Sequence, residues 1–490
     1  MIPMKNLNTL FSFISIILVG LVFSSCSDSS RIDPKDALSS FISNNDSIVA
    51  FGTVDLKGIL EKVDYENVPK IGKLLSTEVA TIERFIDLKS PLYYAMQGPI
   101  DLDGSPRATY AFLGVLNSDS LAAELTQRGF DIDIKNEIQY CQDGDIAIGI
   151  KENLALIVSK NSDFDTEILI TETFAKVDGT ISGGKVDEIL SEDGDFVLGV
   201  NVHSLYTTSH TDLENLDIDK KSELEELLTN TYVQTVIKFD DGAAILETKN
   251  YFSDKLQDQL FFNSDESAPI VAKLGKGNAR FGLTMNLDMK KMQAFIDAYS
   301  PETMQDLGSL MGGPAQMALM AAGDDGLAGL FNGKFGIVML GDPDLDGALE
   351  PDFSFYMGLA SRGQDLAQMA TGLLDFAMAE IRLEKDGISG YSNAAYVPDG
   401  KGEIVLPKGC ENFGKSCISA FINFEGLDYG EIDLGGGESV LGVVKYMTFD
   451  YDENGGRLYI KAIEGKENIL KQAIGVLVEE FSSEITGISI

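Results

Sequence analysis

The chain has 490 residues, 44% of them hydrophobic, and carries 38 Lys and Arg against 77 Asp and Glu, a formal net charge of −39. That length and apolar content suffice for two or more domains with sizeable cores. The charge excludes a nucleic-acid partner, because phosphate contacts need clustered cations, and it disfavours anionic membrane surfaces.

From the N-terminus, Lys5 and the apolar run Leu10 to Phe23 read as a secretory signal, too short for a comfortable membrane span. Small Ser24 and Ser25 before Cys26 resemble a bacterial lipobox, in which the cysteine is acylated and becomes the first residue of the mature protein. Two other readings stay open: an ordinary signal peptide cut near Ser25, and an uncleaved anchor. Phe23 departs from the lipobox pattern. With two or more acyl chains, Cys26 would be a stable membrane tether. The expected division is a signal peptide at 1–25, a polar tether at 26–35, and a folded body from 36 onward.

Inside the body the chain repeats itself. Residues 96–118, "MQGPIDLDGSPRATYAFLGVLNS", align without gaps on 339–361, "MLGDPDLDGALEPDFSFYMGLAS", with nine of 23 positions identical. In the same order, "AFGTVDLKGIL" from Ala50 matches "RFGLTMNLDMKKM" from Arg280, "GVNVHSL" from Gly199 matches "FINFEGL" from Phe421, and "IKFDDGAAILE" from Ile237 matches "MTFDYDENGGRLYI" from Met447. These matches predict a duplicated module, 36–265 and 266–490.

Each module reads as strand, helix, hairpin, helix, hairpin, then strand, helix and a further hairpin. Asp55 and Asn286 are expected N-caps of the helices that follow them. Alternation in "ATYAFLGVL" and the Asp-Gly turn in "DLDG" predict a hairpin, and "SDSLAAELTQRGF" a helix stopped by Gly129. Hairpins outnumber crossovers, so the expected fold class is α+β, with mostly antiparallel sheets and helices packed on one face.

The lipobox, the segment "DPKDALSSFISNNDSIVAFGTVDLKGILEK" and two such halves in 490 residues resemble the Bacteroidota lipoproteins grouped as domain of unknown function 4836. The resemblance implies an envelope lipoprotein in the outer membrane, facing the periplasm or the cell surface. In such proteins acidic residues just after the lipidated cysteine direct surface display. Here only Asp28 lies close by, followed by Arg31. No catalytic residues come with the resemblance.

Enzyme chemistry finds little support. His203 and His210 are the two histidines, without His-Glu-x-x-His spacing, and there is no Gly-x-Ser-x-Gly elbow or phosphate loop. "GKGNARFG" has the wrong glycine spacing for a dinucleotide fingerprint, and His203 in "VNVHSLY" reads as structural. With 77 acids, a carboxylate pair in sequence means little. Tryptophan is absent, although 16 Tyr leave sugar stacking open.

One stretch has calcium-loop character. Asp342, Asp344 and Asp346 stand at positions 1, 3 and 5 with Gly347 at 6, and Glu350 and Asp352 lie nearby, but Phe353 holds position 12 where a bidentate Glu belongs. Its repeat copy keeps Asp101, Asp103 and Gly104 but has Pro99 in place of Asp342, which suits a shared turn. "DYDENGG", from Asp450, fails similarly with Lys461 at position 12. Eleven of 15 methionines lie between Met285 and Met378; core filling, an adaptable apolar groove and a soft-metal site are the readings. Cys410 and Cys417 in "KGCENFGKSC" are expected to pair after export, with two reduced, packed thiols as the alternative, and Cys141 is expected to be a buried thiol.

The leading functional expectation is a non-enzymatic lipoprotein, tethered to the membrane, that binds an envelope protein or an apolar ligand without a cofactor. A calcium-stabilised surface protein and a carboxylate-dependent hydrolase are the alternatives.

Overall fold

The computed structural model describes residues 32–101, 104–161, 165–177, 184–209, 218–263, 268–299, 323–341, 352–374, 380–399, 403–426 and 438–485. Its first helix, Pro34–Ser43, takes up the last two residues expected in the tether. Asp33 caps it by accepting from the Lys35 amide, and Pro34 suits the first turn because its missing N–H would have no partner there.

The first half supplies ten strands: β1 (Ile48–Val54), β2 (Leu92–Ile100), β3 (Pro106–Gly114), β4 (Asp133–Lys135), β5 (Ile138–Asp143), β6 (Ile146–Lys151), β7 (Leu154–Lys160), β8 (Phe196–Asn201), β9 (Tyr232–Asp240) and β10 (Ala243–Tyr251). The second supplies β11 (Gly277–Asn286), β12 (Phe331–Leu340), β13 (Asp352–Leu359), β14 (Glu380–Glu384), β15 (Gly387–Tyr391), β16 (Ile404–Val405), β17 (Ile418–Asn423), β18 (Val444–Asp452) and β19 (Gly455–Ala462). The class is α+β around a large antiparallel sheet.

In the first half β2, β1, β8, β9 and β10 pair in that order, and β2 continues on its other side through β3, β7, β6, β5 and β4. In the second half β12, β11, β17, β18 and β19 pair in that order, and β12 continues through β13, β15 and β14. All of these pairings are antiparallel; β16 adds a short parallel one to β11. A register shift falls near the start of β1 where it meets β2, and near the start of β11 where it meets β12.

The halves join where β10 pairs with β19. Their register is two-fold: Ala243 faces Lys461, Lys249 faces Gly455, and Leu246 faces Leu458 in the middle. Leu246 and Leu458 are both fourth from their own hairpin turns, counted from Ala243 and Gly455.

Helices cover both faces of the first-half sheet, not one. Phe51, Tyr110, Phe112, Leu156 and Val197 point to one core with Leu38 and Phe41 of the first helix, while the alternate residues Tyr94, Ala111, Leu113 and Ala155 point to another with Leu121 and Leu125 of the helix Ser118–Gln127. The reason is the strand composition. β1 and β3 carry large apolar residues on both sides of the pleat, so each face needs a cover.

Candidate functional site

Directly opposed residues of an antiparallel pair share a face, so the sheet's sides can be followed across the seam. Val236 and Tyr251 pack against the first-half core that holds Phe51, and the same side leads through Tyr459 and Thr448 to Phe421. There Phe421 joins Val338, Tyr356, Leu274, Cys410 and Phe413 in the second half's core. On this covered side β11, β12, β13 and β17 interleave small and polar residues: Thr284, Asn286 and Ser354 are 0% exposed, and Ser419 1%. They are satisfied locally. Ser354 Oγ donates to the Leu274 carbonyl, and Ser419 Oγ donates to Asp450 Oδ1 at 2.6 Å. Gly282 lies so close to Phe421 and Phe413 that a Cβ there would come within 2.5 Å of the ring.

The large apolar side chains of these strands point the other way. β11 presents Phe281, Leu283 and Met285, β12 presents Phe335, Ile337 and Met339, and β13 presents Phe353, Phe355 and Met357; β17 adds Ile418 and Ile422, and β18 adds Met447 and Phe449. Every one of them is half-buried, while the residues between them on β11, β12 and β13, which face the core, are buried. No charged residue stands among them. At about 4.8 Å between strands and about 3.4 Å per residue, this floor is roughly 19 Å by 14 Å.

In the first half the corresponding side is filled. Leu113, Leu121, Leu125, Ile148 and Ala155 close over it, leaving a cavity of about 50 Å³. In the second half a row of aromatic rings, Phe295, Phe261, Phe262 and Tyr451, reaches the edge of the floor beside Phe449. The helix Ser361–Leu374, which follows the β12–β13 hairpin as Ser118–Gln127 follows β2–β3, buries Gly363 and leaves Met369 79% exposed. The methionine enrichment legible in the sequence falls partly on this half-buried sheet face, through Met285, Met339 and Met357. Sequence reading missed the phenylalanines that flank them, because alternation marks two faces without saying which is covered.

Cys26, His210, Asp342, Asp344, Asp346 and Glu350 lie outside the described residues. Asp352 opens β13 and accepts from Ser392 Oγ at 3.1 Å. Among the described residues no three acid, histidine or cysteine side chains gather as a metal cage. The repeat copy of the acidic loop is a turn: the Gly104 amide donates to the Asp101 carbonyl at 2.8 Å, with Gly104 at φ +82°. His203 sits in the helix Val202–Ser209, one residue inside its start.

The expected Cys410–Cys417 bond is absent from this structure, where Cys141, Cys410 and Cys417 are all buried thiols. Cys410 is packed into the core and Cys417 Sγ donates to the Asn263 carbonyl, so each thiol has its own neighbours. Burial pushes the Cys141 thiol up to about 11 and Cys410 up to about 12, with Glu411 adding to the latter. Neither is a nucleophile near neutral pH.

Two polar clusters outside the floor form ion pairs. Arg128 holds Glu124 at 2.6 Å and Glu78 at 3.7 Å. A recess of about 340 Å³ between Val63–Pro69 and the C-terminal helix Ile469–Ile485 carries Lys471, paired with Asp64 at 3.0 Å and Glu467 at 3.1 Å. The hydrogen bond to Asp64, then that to Glu467, raises the Lys471 pKa. This arrangement latches the end of the chain to the first half.

No protein-family model matches the chain, and no curated protein matches it. Among solved structures it is similar to crystal form IV of TP0453 (8% identity, 45% of this chain and 81% of that one, TM-score 0.27), to crystal form I (9%, 47% and 85%, 0.27) and to crystal form III (8%, 74% and 93%, 0.21). Scores this low carry neither fold nor function.

Proposed function

We propose that this chain is an envelope lipoprotein of the Bacteroidota type, tethered through Cys26 and built of two copies of one module, and that it works as a non-enzymatic binder of hydrocarbon chains. The observation behind the binding is the pattern of β11, β12 and β13: small and polar residues interleave with Val338 and Tyr356 on the core side, and phenylalanine, methionine and isoleucine face the half-buried side. A contiguous apolar surface of this size that is not fully buried is one of the marks of a ligand groove. The floor carries no charge in a chain of net charge −39, so the neutral hydrocarbon of an envelope lipid suits it. Its length suits too, since one acyl chain spans about half of a roughly 30 Å hydrocarbon core. Half-buried side chains favour a thin occupant over a helix about 10 Å across. Flexible methionines adapt to chains of differing shape.

The test is binding of a fluorescent fatty acid to the purified protein, with bound lipid from native preparations identified by mass spectrometry. Ile337→Glu places a charge on the floor and should weaken binding at least tenfold while the circular dichroism spectrum is kept. Unchanged binding by that variant would remove the floor from consideration. Cys26→Ala should move the protein from the membrane fraction to the soluble one or leave it unprocessed.

A further inference from the structure

We infer that the end of the first half around Asn153 is the surface this protein lays against the membrane, an inference that rests on the reading of Cys26 as the lipid anchor. The chain enters the folded body at a fixed point. The Ile32 amide donates to Asn153 Oδ1 at 2.7 Å and Asn153 Nδ2 donates back to the Ile32 carbonyl at 2.9 Å, a two-bond clamp across 121 residues. Asn153 is itself held in the sheet, its carbonyl accepting from the Val115 amide at 2.7 Å. Two residues after the clamp the first helix begins, so the entry point cannot slide.

From Cys26 to Ile32 the chain takes six residue steps, which at about 3.3–3.6 Å each reach about 20 Å when fully extended. A folded chain of this length has a radius of gyration of about 23 Å. Such a tether is too short for the body to turn its far side to the bilayer. The corner beside the clamp has the chemistry of an interface. Leu116, next to Val115, is 47% exposed although its amide is bonded to the Phe85 carbonyl at 2.5 Å, and Lys89 is exposed in the adjoining loop, where the Asp87 amide bonds the Gly114 carbonyl at 2.9 Å. A leucine can enter the headgroup boundary while a lysine stem snorkels to the phosphates. Exposed Asp33 and Glu152 outnumber that lysine, so the corner suits zwitterionic and not anionic lipid.

The experiment uses the full-length lipidated protein in phosphatidylcholine vesicles that carry a lipid-borne quencher. An environment-sensitive fluorophore is placed at Leu116→Cys or Lys89→Cys, and for comparison at Asp143→Cys, which lies at the opposite end of β6 from Asn153. The buried native thiols stay unlabelled. Quenching several-fold stronger at 116 and 89 than at 143 is the expected result. Vesicle-bound protein quenched alike at all three positions overturns the inference alone, whereas protein that never binds the vesicles overturns the anchor reading and the inference with it.

Discussion

Asp195 shows how one side chain can tie elements together. It is 4% exposed, accepts from Lys62 Nζ at 2.7 Å on both oxygens, and takes the Phe239 amide at 2.6 Å. The helix Leu56–Val63, β8 and β9 therefore meet on one carboxylate. Asp195→Ala leaves Lys62 and a backbone amide without their acceptor, and charged hydrogen bonds contribute about 1.5–3 kcal/mol each way. A loss of about 2–3 kcal/mol, read from urea midpoints, is expected. Asp386 illustrates a weaker contact. The hydrogen bond from Lys273 holds its carboxyl below the usual aspartate value, against a smaller opposing effect of burial. A depressed carboxyl stabilises the fold at pH above that ordinary value, near 3.8, and loses its contribution as pH falls through the folded value. Asp386→Asn should thus cost about 0.2–1 kcal/mol at neutral pH, the scale of a half-exposed pair. The melting temperatures of variant and parent should converge as the pH drops below about 3.8.

At the scale of elements, caps and turns were legible where the signal is local. Asp55 caps the helix Leu56–Val63 as its position suggests, its Oδ1 accepting from the Gly58 amide at 2.9 Å. The parallel expectation for Asn286 is wrong: it is a 0% exposed strand residue, and Asp288 takes the Lys290 and Lys291 amides at 3.0 and 3.1 Å. The strand runs on because Leu287 bridges Phe262, which an N-cap count from sequence does not see. Asp55→Ala should cost about 1 kcal/mol, and Asn286→Ala should act through lost buried contacts instead. Gly455 is a turn residue of a stricter kind. At φ +141° its missing Cβ leaves room for the Thr248 carbonyl, 1.9 Å from where a Cβ would lie. Gly455→Ala is expected to loosen the β10–β19 seam, seen as faster amide exchange in both strands.

The seam is where the whole molecule is decided. Leu246 and Leu458 face each other at its centre, and Glu247 pairs with Arg457 at 3.5 Å beside them. An isologous contact of this kind is what a two-fold dimer would make. Leu246→Asp and Leu458→Asp should each destabilise by more than 1 kcal/mol. Like charges directly opposed repel, so the double variant should lose more than the sum, and a double-mutant cycle measures the excess.

The sequence by itself determined the α+β class, the β2–β3 hairpin with the helix that follows it, and turns such as Gly104 and Gly129, because periodicity and turn chemistry act within a few residues, whereas β4 to β7 form four strands where one hairpin is expected. The same reading noticed the methionine cluster. Only the tertiary structure decided that β10 meets β19 and that helices lie on both faces of the first-half sheet. It also decided which side of β11, β12 and β13 is covered. A strand's period of two divides its residues between two faces, but what lies over each face is set by segments tens of residues away. That is why Phe281, Ile337 and Phe355 could be read as core from sequence and yet line a half-buried floor on the side away from the core around Phe421.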